Sequence, residues 1–63
     1  MDRYFLKKSD GNVVREGSMT EIMKEVMKIT QANSIPEVTY DAEMKATCFE
    51  FEGYYCNFKL YLS

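Results

Sequence analysis

The chain has 63 residues, no histidine, two cysteines and a net charge of −2. That length allows one domain, and a domain this small buries only about 60% of the surface its unfolded chain exposes, so its stability is marginal. Without histidine there is no Ser-His or Cys-His pair for nucleophilic catalysis, and two cysteines do not complete a tetrahedral zinc site.

The first predicted element is a hairpin. Arg3–Lys8 contains Tyr4, Phe5 and Leu6, and Val13–Arg15 supplies β-branched residues. Between them lies Ser9-Asp10-Gly11-Asn12. Asp-Gly between strand-like runs is a strong hairpin signal because both residues tolerate positive φ. Phe5 and Val13 share one parity, while Tyr4, Leu6 and Val14 share the other, so the pattern leaves open which set faces the core. Gly17 breaks the second strand, and Ser18-Met19-Thr20-Glu21 fits a capping box. Met19, Ile22, Met23, Val26, Met27 and Ile29 then recur at helical spacing. The spacing predicts a helix over Met19–Ala32, with Glu21–Lys24 and Glu25–Lys28 as opposite charges on its wet face. Pro36 prevents its continuation.

The last third reads as three strands in a meander. Glu37–Asp41, Ala46–Glu52 and Tyr54–Leu62 each alternate with period two. A two-residue turn at Glu52-Gly53 would pair Phe51 with Tyr54, Phe49 with Cys56 and Thr47 with Phe58, although Glu is a poor first residue for a type I′ turn and leaves a bulged or longer turn open. The preceding turn would pair Asp41 with Ala46, Tyr40 with Thr47 and Val38 with Phe49. Both hairpins then place their apolar residues on one buried face, and a one-residue slip would lose this agreement. In that register Cys56 points into the core and Cys48 points outward, so the two do not bond within the chain.

These elements predict an α+β domain spanning residues 1–63, an antiparallel sheet of about five strands in the order ββαβββ packed against one amphipathic helix. The terminal strand lacks proline and has no charged side chain after Lys59, so it either lies between two strands or pairs with its own copy across a two-fold axis. The first is favoured because the strand Arg3–Lys8 needs a partner besides Val13–Arg15. This favours the spatial order second, first, fifth, fourth, third strand. The edges then fall to short or charged strands, which predicts a monomer or weak dimer.

One helix covers one side of such a sheet. The other side would carry Glu37, Thr39, Asp41, Cys48, Glu50, Tyr55, Asn57, Lys59 and Tyr61. Antiparallel sheets commonly leave one face solvated. As a binding face, however, it offers tyrosines, which give large rigid contact area at low entropic cost. Glu37, Thr39, Glu50, Tyr55, Asn57 and Tyr61 are therefore the candidate partner-binding residues. Acidic groups beside tyrosines would suit a basic partner, such as the nucleic-acid-binding groove of another protein. The alternative site is the cluster Arg3, Lys7, Lys8 and Arg15 on the first hairpin, which could touch phosphates or simply guard an edge. Nucleic acid is the less favoured partner because the net charge supplies no global basic field.

No enzymatic activity is expected. The three glycines, Gly11, Gly17 and Gly53, are too dispersed for a phosphate-cradling loop. Glu50 and Glu52 share a face, yet paired-carboxylate chemistry needs a cleft. No cofactor or metal is expected either. The opening Met1-Asp2-Arg3-Tyr4-Phe5-Leu6-Lys7-Lys8 lacks the apolar run of a signal peptide, and no segment reaches the length of a membrane span. The expectation is a cytoplasmic protein with reduced thiols.

The pattern Asp10-Gly11-Asn12, followed by Glu16-Gly17-Ser18 leading into a capped helix, resembles the start of many small bacteriophage and mobile-element proteins. The resemblance spans about half the chain and implies a phage-type accessory protein, located in the host cytoplasm, without transferring any functional residue. The functional expectation is a small acidic protein-binding module, an inhibitor of a host enzyme or defence complex. The alternatives are a nucleic-acid-binding domain using the basic hairpin, or a structural homodimer subunit.

Overall fold

The computed structural model describes residues 3–63. β1 (Tyr4–Lys8) and β2 (Val13–Gly17) form the first hairpin. Its turn is held by the Asp10 carboxylate, which accepts from the Asn12 backbone N–H at 3.0 Å and from Asn12 Nδ2 at 2.9 Å. Gly11 takes φ +90°, which a side chain would resist. The pairing slips at Leu6/Lys7, where Leu6 lies across from Arg15 and Lys7 from Val13, leaving Val14 as an extra residue. Such a bulge bends an edge strand and interrupts its ladder. The open question of parity resolves toward Leu6, which is fully buried, while Phe5 lies on the opposite side.

Helix α1 spans Met19–Ala32, as the periodicity predicts. Ser18 caps it, its Oγ accepting from the Glu21 N–H at 3.3 Å. Alanine at position 18 is expected to cost about 0.5–2 kcal/mol, the usual loss for an N-cap. Chemical denaturation of the variant measures it, and an unchanged midpoint would show that the cap contributes nothing. The Glu21 carboxylate lies against Gly17 and reaches Arg15 at 3.8 Å. The expected Glu21–Lys24 and Glu25–Lys28 pairs do not form. Among the described residues the ion pairs are Arg15–Glu21 and Arg3–Glu16. At the other end the Asn33 N–H and Nδ2 both donate to the Ile29 carbonyl, at 3.0 and 3.1 Å.

β3 (Glu37–Asp41), β4 (Ala46–Phe51) and β5 (Phe58–Leu62) complete one antiparallel sheet in the order β2-β1-β5-β4-β3. That is the predicted order, with the apolar terminal strand in the centre. β3 and β4 pair as expected, Asp41 with Ala46, Tyr40 with Thr47 and Val38 with Phe49. Asp41 Oδ1 closes their turn by accepting from the N–H groups of Glu43 and Met44, at 2.9 and 3.0 Å.

The β4–β5 pairing differs from the expectation. Phe51 lies across from Phe58, Phe49 from Leu60 and Thr47 from Leu62. The strand begins at Phe58, and Glu52–Asn57 form a loop in place of a two-residue turn. The slide is four residues, so parity is kept and every face assignment within β5 survives. Its cause is burial. The expected register would have placed Leu60 and Leu62 across from Lys45 and Glu43, beyond the end of β4. Sliding brings both leucines under the helix and releases Tyr54 and Tyr55, whose hydroxyls tolerate water. Cys56 consequently lies exposed in the loop, and Cys48 is the buried thiol. Both expected cysteine environments are thereby reversed, although Cys48 does lie on the side away from the helix.

The core is Leu6, Ile22, Val26, Phe49, Phe51 and Leu60, with Phe51 and Phe58 stacked at 5.2 Å. Helix α1 starts at the Gly17 end of β2 and finishes beside Glu52, whose N–H donates to Ser34 Oγ at 3.4 Å. It therefore crosses the sheet diagonally. A helix is about 10 Å wide and strands are about 4.8 Å apart, so one helix spans two or three strands. β3 lies beyond its reach. Val38 and Tyr40, expected in the core, are 56% and 68% exposed. Among the described residues no helix is long and apolar enough to cross a membrane.

Candidate partner-binding surface

The registers define the side of the sheet away from α1 row by row. One row reads Glu37, Glu50, Lys59. The next reads Thr39, Cys48, Tyr61, Lys7. Four of the six sequence-predicted residues are accordingly on this face: Glu37, Thr39, Glu50 and Tyr61. The other two, Tyr55 and Asn57, belong to the Glu52–Asn57 loop, because the slide in β5 removes them from the strand.

This face is less open than its composition suggests. Ala46, Cys48 and Tyr61 form a small buried cluster on it. Cys48 is a short side chain between Thr39 on β3 and Tyr61 on β5, and its larger neighbour shades it from water. Phe5 adds a half-buried ring, with Lys7 Nζ 5.5 Å from its centroid. Tyr61, at 8% exposure, thus serves packing and offers little contact area.

Exposed apolar side chains lie elsewhere: Val13 and Val14 on β2, Met19 and Met27 on α1, Met44 in the β3–β4 turn, and the most exposed of them along one margin of the molecule. Tyr54 and Tyr55 project from the β4–β5 loop at 91% and 94% exposure, their rings edge-to-face at 4.7 Å. Tyr54 shares a shallow hollow of about 280 Å³ with Ala32, Asn33, Ser34, Glu52 and Gly53. Ile35 follows Ser34 and is 86% exposed. Two residues later β3 begins, carrying Val38 and Tyr40. Five large apolar side chains therefore run from the loop, past the end of α1, and down the outermost strand.

On the helix, Glu21 turns toward Arg15 on β2, and Met27, 62% exposed, lines a shallow hollow with Arg15, Glu21, Lys24 and Lys28 rather than the margin of Tyr54 and β3. Acidic groups border that margin. The segment Glu37–Glu52 contains five carboxylates, Glu37, Asp41, Glu43, Glu50 and Glu52, against Lys45 alone.

On the basic hairpin two of the four cations are engaged. Arg3 Nε donates to Glu16 at 2.8 Å, and this hydrogen bond, with the charge of Glu16, raises the guanidinium pKa above its ordinary value. Arg15 lies beside Glu21. Lys7 and Lys8 are left as unpaired cations among the described residues of that hairpin.

Comparison of the chain with protein-family models, with curated proteins and with solved structures finds no match in any of the three.

Proposed function

We propose that this chain is a non-catalytic binding protein that engages another protein along the margin formed by Tyr55, Tyr54, Ile35, Val38 and Tyr40. One observation supports this reading above the others: five large apolar side chains, each more than half exposed, follow the chain from the β4–β5 loop and from the end of α1 into the outermost strand. Single exposed apolar residues are ordinary, whereas a contiguous apolar strip rimmed by charge is characteristic of interaction surfaces. The two tyrosines have the character of interface anchors. The bordering carboxylates favour a basic partner surface, such as one built to hold nucleic acid. Its mode of action would be inhibition by occlusion. The resemblance of the first half to small bacteriophage and mobile-element proteins favours a host enzyme or defence complex as the target.

The nucleic-acid reading is weaker, because glutamates engage two of the four cations it needs. Affinity capture from the source cell, followed by titration of the purified captured protein, separates the two. A defined partner should bind saturably, and Tyr54→Ala with Tyr55→Ala should weaken it by about thirtyfold, the loss of roughly 2 kcal/mol typical of a buried anchor. Salt-sensitive binding to generic DNA with no captured protein would overturn the proposal in favour of the rival.

A further inference from the structure

We infer that β3 is the docking element itself: its free edge accepts an extended segment of the partner as a sixth strand, and that segment alternates basic with apolar side chains. This rests on the protein-binding reading above and specifies the partner's chemistry. β3 ends the sheet, so its outward N–H and C=O groups form a row without strand partners. An added strand satisfies them with main-chain hydrogen bonds and gains specificity from alternate side chains.

The two sides of β3 dictate that alternation. Val38 and Tyr40 point to the helix side, exposed because α1 does not reach them. Glu37, Thr39 and Asp41 point to the other. Asp41 Oδ1 already closes the β3–β4 turn, and Glu50 lies directly across from Glu37 with Lys59 beyond it, so Glu37 is the carboxylate nearest the edge that no described side chain engages. Strand side chains have period two. A sixth strand therefore presents one set of residues to valine and tyrosine and the other to carboxylates. The complementary sequence is apolar at alternate positions and lysine or arginine between them.

Two competing arrangements fit worse. The β2 edge is interrupted by the Leu6/Lys7 slip, and its Arg15 and Glu16 are already in ion pairs. Bulges and engaged charges blunt an edge. A second copy of this chain pairing β3 to β3 about Thr39 would set Glu37 across from Asp41 at both ends. Like charges directly opposite are destabilising.

The test uses the full chain, isotopically labelled, and a blocked nine-residue peptide of alternating lysine and valine. Saturable amide shifts should centre on Glu37–Asp41, and hydrogen exchange there should slow by about tenfold or more at saturation. A peptide of the same composition with its lysines and valines in separate blocks should bind at least tenfold more weakly. Glu37→Lys and Tyr40→Lys, both on exposed positions, should each weaken the alternating peptide about tenfold with the circular dichroism unchanged. Equal binding of the block peptide, or shifts centred on α1 or the first hairpin, overturns the inference. So does β3 protection in a dimer formed without peptide, which would make a second copy the occupant. If the edge fails in this way while the captured protein still depends on Tyr54 and Tyr55, protein binding stands and only the strand-addition mode falls. Insensitivity of the captured protein to both tyrosines removes the binding reading as well.

Discussion

Replacing Leu60 with lysine is expected to unfold the protein. Leu60 is 4% exposed, on the strand with neighbours on both sides, across from Phe49 on β4 and Lys8 on β1. Lysine there loses the leucine's packing and carries a cation into the apolar cluster of Leu6, Ile22, Val26, Phe49 and Phe51. On the helix side, the charged groups nearest in register are Lys8 and, one row away, Arg15, both of like sign. Burying an unpaired charge costs several kcal/mol after relaxation. A 63-residue domain has roughly 3–9 kcal/mol in total at ordinary values per residue. The variant should show a disordered far-ultraviolet circular dichroism spectrum at 25 °C and no cooperative melt. Lys59→Ala, one position away on the exposed side, should shift stability by only about 0.5 kcal/mol. A folded Leu60→Lys variant with a melt like the parent's would contradict the central placement of β5.

Central placement was readable from the residues because it follows from a liability. Phe58–Leu62 is too apolar and too weakly charged to sit at an edge, and β1 needs a second partner to be stable. The helix was readable for a similar reason: Ser18, the methionine and isoleucine spacing and Pro36 all point to the same boundaries. The β4–β5 register was not. Alternation runs unbroken from Tyr54 to Leu62, and parity is blind to a slide by an even number of residues. Leucines and tyrosines compete for the same buried positions, and that competition decides between slides.

The binding margin was legible only in part. Its acidity was visible in the distribution of charge, and Glu37, Thr39 and Glu50 lie beside it. Val38 and Tyr40 read as core residues because they share a face with Phe49 and Phe51 through β3–β4 pairing. That reasoning treats the covered face as uniform. The discriminating quantity was width: five strands at about 4.8 Å spacing exceed the span of one helix about 10 Å across. The row Val38, Phe49, Leu60, Lys8 records the result, buried in the middle and exposed at both ends. A lone helix on a five-strand sheet leaves the outer strands bare: β2 is exposed along Val13–Glu16, and β3 bears valine and tyrosine on the bare side and carboxylates on the other.

Phe51→Ala is expected to cost about 3–5 kcal/mol, the range for truncating a fully buried phenylalanine. The ring is 0% exposed, lies in the cluster with Ile22 and Val26, and stacks on Phe58 with 16° between the planes. Its loss leaves a cavity at the crossing of α1 over β4 and removes the stacking partner of the first residue of β5. Urea denaturation should show the midpoint falling by most of its value or no folded baseline at all. The informative contrast is Tyr54→Ala combined with Tyr55→Ala. In the pairing across a tight Glu52-Gly53 turn, Tyr54 would face Phe51 beneath the helix, and its truncation would be nearly as damaging as that of Phe51. With β5 starting at Phe58, both tyrosines stand in water, and each truncation should change stability by only about 0.5 kcal/mol. A double variant that unfolds alongside Phe51→Ala would therefore contradict both the register of the central strand pair and the availability of these tyrosines to a partner. A double variant with the parent's urea midpoint leaves the aromatic pair without a folding role, so that any loss of partner affinity on truncation belongs to the interface.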